Sequence, residues 1–94
     1  MAEEFKSETG AEIKDRIPKE EILKWLNKIE PLIPKIQPIG DKGKGFLTNM
    51  NAYISDCKHF MENGDYVNSF EAIIWAWSWY EIGLDNNILT QKEE

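Results

Sequence analysis

The sequence predicts an all-α fold, an up-and-down three-helix bundle in which the second and third helices form a long antiparallel hairpin. Three observations carry this. Apolar residues recur at three- and four-residue spacing over most of the chain. The sharpest punctuation, Asn63-Gly64-Asp65, separates two segments of nearly equal length. The one run that alternates, Ile74–Tyr80, has no second strand to pair with, and a lone strand would leave its backbone unsatisfied. Two helices of roughly 20 residues, or ~30 Å, joined by a tight turn lie antiparallel.

The elements follow in order. Residues 1–16 are acidic and short of large apolar groups, which makes them a flexible or loosely docked N-terminal segment. A single domain over 17–89 comes next, then a frayed tail over 90–94. Pro18 suits a first helical position, where its missing N–H costs nothing. Ile22, Leu26, Ile29, Ile33 and Ile36 alternate at four and three, with Trp25 and Leu32 beside them, so helix one extends to about Ile36. Glu20 and Lys24 form an i,i+4 pair on its outer side. Pro31 and Pro34 each remove a donor and crowd the preceding turn, so this helix kinks or loosens there.

Residues 38–45, Pro-Ile-Gly-Asp-Lys-Gly-Lys-Gly, read as a flexible connection. Helix two runs from about Lys44 to Asn63. Leu47, Met50, Ile54, Cys57 and Met61 form its stripe, widened by Phe46, Tyr53 and Phe60. Gly64 supplies a left-handed cap, and Asp65 accepts from the first amides of helix three, Tyr66 to about Asp85.

Helix three is apolar on two sides. At about 100° per residue, Tyr66, Phe70, Ile73, Trp77, Tyr80 and Leu84 share the side that faces the core. Ala72, Trp75, Trp79 and Ile82 form a second stripe roughly opposite. A surface helix of a monomeric bundle needs only one stripe. The second is covered by helix one or the N-terminal segment, is left for a second copy or another protein, or lines a small-molecule groove; aromatic residues are the usual anchors of interaction patches.

Composition narrows the function classes. A net charge of −6 argues against nucleic acid and anionic membrane surfaces as partners. A lone cysteine, Cys57, makes no intrachain disulfide and suits a reducing, cytoplasmic setting. The N-terminus has no signal-peptide pattern, and no apolar run approaches the ~20 residues needed to span a bilayer. No catalytic constellation is visible. His59, the only histidine, has Asp56 and Glu62 at three-residue spacing on one helix flank, too few convergent ligands for a metal. Cys57 and the methionines Met50 and Met61 belong to the apolar stripe. The Gly40–Gly45 segment lacks the preceding strand and Gly-Lys-Ser/Thr ending of a phosphate loop. No cofactor is implied.

The segments Tyr53-Ile54-Ser55-Asp56-Cys57-Lys58-His59-Phe60, Asn63-Gly64-Asp65-Tyr66-Val67 and Trp75-Ala76-Trp77-Ser78-Trp79-Tyr80-Glu81-Ile82-Gly83 resemble an archaeal family catalogued as domain of unknown function 357. In that family a Tyr-x-x-Asp-Ala-x-x-Phe helix leads through Gly-Asp-Tyr into a helix reading Tyr-Ala-His-Gly-Trp-Leu-Asp-Ala-Gly. Tyr53, Asp56, Phe60, Gly64, Asp65, Tyr66, Ala76, Trp79 and Gly83 match. The resemblance covers about residues 18–89, is most specific over 50–84, and implies a small three-helix bundle with no established activity to carry over. Trp77-Ser78 replaces the family's His-Gly and Glu81 its Asp, which removes the histidine that a shared acid–base site would use.

The reading is therefore a non-enzymatic protein-interaction module, self-associating, with Trp75, Trp79, Ile82 and Ala72 as partner-binding residues. The alternative is a small-ligand-binding protein or cryptic enzyme with a site between helices, its polar groups being Asp56, Tyr53 and Glu81.

Overall fold

The structure, a computed structural model, describes residues 17–92. Three α-helices dominate it: α1 Lys19–Ile29, α2 Gly40–Glu62 and α3 Tyr66–Asp85. A 3-10 turn over Glu30–Lys35 follows α1, and two short strands, β1 Ile36–Pro38 and β2 Leu89–Gln91, pair with each other. The expectations for residues 1–16 lie outside the described residues.

The core lies between the three helices. Ile22, Leu26 and Ile29 of α1 are buried together with Met50, Ile54 and Cys57 of α2 and with Ile73, Ala76 and Tyr80 of α3. The hairpin is the dominant contact, and its turn is built as the sequence predicts. The Asp65 amide donates to the Phe60 carbonyl at 2.9 Å and the Gly64 amide to Met61 at 3.1 Å, with Gly64 at φ +77°. That double closure satisfies the orphan carbonyls at the end of α2. Asp65 then caps α3, its carboxylate accepting from the Asn68 amide at 3.2 Å. α3 closes the same way at its far end, where the amides of Ile88 and Asn87 donate to Gly83 and Leu84. Asn87 takes the left-handed position there at φ 60°.

Four expectations are corrected. Helix one stops at Ile29 and does not reach Ile36, because Pro31 and Pro34 each lack the amide an α-helix requires. The chain tightens into a 3-10 turn and then extends. Second, Ile36–Pro38 forms a strand antiparallel to Leu89–Gln91, with Ile36 opposite Gln91 and Pro38 opposite Leu89. Thr90 and Gln91 are thus held in a ribbon where a frayed tail is predicted, and the Lys92 amide donates to Lys35 at 2.8 Å. Third, α2 begins at Gly40, so the glycine-rich segment is helical. Gly43 is buried there because β1 and the chain after α3 press against it. A Cβ at this position would lie 2.5 Å from the Ile88 carbonyl oxygen and 2.9 Å from the Pro38 carbonyl carbon. Fourth, Lys24 pairs with Glu21 at 3.6 Å, not with Glu20. Glu21 also accepts from Trp25 Nε1 at 3.3 Å, which draws it to the same side.

Candidate functional site

The tryptophan-rich half of α3 decides what the surface offers. Its second stripe is divided between two environments. Ala72 is buried, and Trp79 packs edge-on against Phe46 of α2 with ring centroids 4.5 Å apart. Trp79 Nε1 is buried without a hydrogen-bond partner among the described residues, so packing alone holds the ring. Trp75 and Ile82 remain on the surface, 48% and 49% exposed. Ile74 at 41% and Val67 at 44% extend this outer face.

The helical wheel explains the division. Ser69, Ala72, Ala76, Trp79 and Gly83 fall on one side of α3, and that side meets α2. Ser69 Oγ donates to the Cys57 carbonyl at 2.8 Å, and a Cβ on Gly83 would meet the Leu89 side chain of β2 and, at 3.3 Å, the Phe46 ring of α2. The small side chains let the two helices approach closely. α1 takes another side of α3, where Trp77 donates from Nε1 to the Trp25 carbonyl at 3.1 Å and meets the Trp25 ring edge-on at 6.0 Å. Lys24 and Lys28 sit over the outer face of Trp25, 5.3 and 5.2 Å from its centroid. Helix three is apolar on two sides because it is packed on two sides. Among the described residues, α2 is what Ala72 and Trp79 pack against.

Trp75 leans over α2 and stacks on Tyr53, with centroids 6.2 Å apart and planes 20° from parallel. A groove of 270 Å³ opens beside this pair, lined also by Asp56, Phe60, Asn68 and Glu71. Tyr53 and Asp56, one turn apart on α2, both line this groove. Glu81 does not join them; it lies ten residues, or about 15 Å, along α3 from Glu71, the carboxylate that does. Helix periodicity could have found Glu71 only once the rotation of α3 against α2 was known. A second groove, of 410 Å³, lies between the 3-10 turn and α2, where Glu30 and Lys58 form an ion pair.

The other titratable candidates are accounted for locally. Cys57 is fully buried. Desolvation pushes its thiol up from the ordinary value. His59 is exposed, its ring Nε2 3.3 Å from Asn63 Nδ2. Among the described residues no three His, Cys, Asp or Glu side chains are grouped to hold a metal, and no helix is long and apolar enough to cross a membrane.

Comparison with known proteins agrees with this architecture. No curated protein matches the chain. The crystal structure of protein AF1782 from Archaeoglobus fulgidus is similar over 78% of this chain and 91% of its own, at 44% identity and a TM-score of 0.71. That protein carries the DUF357 family model, and the same model, described as a protein of unknown function, matches residues 21–89 here. With most of the described helices inside that match, the chain belongs to the DUF357 family.

Proposed function

We propose that this chain is a non-enzymatic protein-interaction module that works through the outer face of α3 and associates with itself. One observation carries the reading: Trp75, Ile82, Ile74 and Val67 stand exposed along one side of a helix whose other sides are packed. A row of large apolar side chains on a rigid element, rimmed by Glu81 and Asp85, has the composition of an interface, with an aromatic anchor and a polar border. An enzyme would bring several unpaired titratable groups around an enclosed pocket. The groove beside Tyr53 has two carboxylates with no histidine, lysine or cysteine beside them, and the charges of the other groove already neutralise each other.

Size-exclusion chromatography with light scattering on the full chain, over a range of concentrations, tests this. The expected result is a concentration-dependent dimer that Trp75→Lys dissociates while circular dichroism keeps its helical signal. A strict monomer would remove self-association, and a dimer untouched by Trp75→Lys would move the interface elsewhere.

A further inference from the structure

The spacing of the exposed apolar residues on α3 carries a symmetry. Val67 lies seven residues before Ile74, and Ile82 lies seven after Trp75. Seven residues make two helical turns, so each pair returns to nearly the same side. The four side chains are thus arranged evenly about the peptide bond joining Ile74 to Trp75, over about 22 Å of helix. Glu71 and Ser78 occupy the seam between them, one on each side of that centre and equally far from it.

We infer that two copies of this chain pair through α3 in antiparallel orientation, about a two-fold axis beside the Ile74–Trp75 bond. This rests on the self-association proposed above and adds its geometry. A two-fold interface brings the same patch of both copies together, so residue i meets j and j meets i. Antiparallel pairing at this centre gathers Ile74 and Trp75 of both copies at the axis. Val67 of each copy then meets Ile82 of the other, and no exposed apolar residue of the row is left over.

Charge selects the orientation. In the antiparallel register Glu71 falls opposite Ser78, and Glu81 falls opposite Asn68. In a parallel register Glu71, Glu81 and Asp85 would each face its own copy, and apposed like charges are destabilising. On a chain of net charge −6, keeping carboxylates apart is a condition of self-association. The self-matching spacing of the row makes a second copy the occupant of this face, and charge fixes its orientation.

Two variants of the full chain test this by sedimentation, at concentrations from about 1 to about 500 µM, which brackets the affinity of a small interface. Ile74→Glu places carboxylates at the axis and is expected to abolish the dimer with helicity unchanged. Ser78→Lys faces the partner's Glu71 in the antiparallel register, and the dimer is expected to tighten about tenfold. In the parallel register the same change apposes two lysines and loosens it. If Ile74→Glu dissociates the dimer but Ser78→Lys weakens it or leaves it unchanged, the antiparallel register is overturned while the outer face of α3 stands. A dimer indifferent to Ile74→Glu overturns the face, and a wild-type chain that stays monomeric throughout overturns self-association.

Discussion

Ser69 and Cys57 share the only buried polar contact between side chains of α2 and α3 among the described residues, and its direction can be worked out. A serine hydroxyl has one hydrogen, which goes to the Cys57 carbonyl at 2.8 Å. The 3.4 Å contact between the two side chains therefore has the thiol as donor. Cys57 was legible in the sequence because it falls in an apolar stripe. Ser69 was not, since a polar residue on a helical wheel looks like surface until its partner is known. Glycines mislead in the same way. Gly43 and Gly45 look alike in the run Gly40–Gly45, yet they face opposite constraints. An alanine side chain at Gly43 would press on backbone atoms of Ile88 and Pro38, whereas at Gly45 it would meet nothing within 4 Å. Gly43→Ala is expected to cost about 2 kcal/mol through overpacking. Gly45→Ala is expected to add about 0.5–1 kcal/mol, by removing glycine's helix penalty. Urea unfolding of the two variants should give midpoints that move in opposite directions.

At the scale of elements, the hairpin could be read in advance because its signals are local. Asn63-Gly64-Asp65 holds both the stop of α2 and the start of α3 within a few residues, and the capping bonds form as that motif requires. The end of α1 was less legible. Prolines show where a helix fails, but not whether the chain then kinks, tightens or extends. Periodicity also weights large side chains, so it assigned the apolar sides of α3 by their bulk. The side that meets α2 is lined by Ser69, Ala72, Ala76 and Gly83, all small, and they set how α3 is rotated. Trp79 goes inward with them and Trp75 does not. Trp79→Ala should therefore destabilise the fold by about 3 kcal/mol, in the range for truncating a packed aromatic. Trp75→Ala should cost less than about 1 kcal/mol in the monomer, because only its stacking on Tyr53 is lost. Thermal denaturation at low protein concentration separates the two.

For the molecule as a whole, two buried acids set the alkaline limit. Burial pushes up both the Cys57 thiol and the Tyr80 phenol, and the carboxylates of Glu30 and Glu81 add to the respective shifts. A group raised in the folded state ionises first in the unfolded chain. Its contribution to stability is complete below the unfolded value and is lost as pH rises toward the folded one. Stability should therefore fall as pH climbs through roughly 8.5 to 10, where free thiols and phenols ionise. Cys57→Ala and Tyr80→Phe should each flatten part of that slope in urea titrations against pH. Tyr80 also donates to Gln91 Oε1 at 2.6 Å, which ties α3 to the β1–β2 ribbon. That ribbon escaped the sequence because three-residue strands carry too little alternation and their partners lie far apart in the chain. The same separation orders the assembly of the molecule. The α2–α3 turn closes over a few residues, whereas Ile36 must find Gln91 across both helices, and the entropy of closing a loop grows with its length. The hairpin is expected to form first and the ribbon last. In the native state the ribbon is then the first part to open, and the amides of Ile39 and Lys92, both bonded across this junction, should exchange with deuterium ahead of those in the middle of α3.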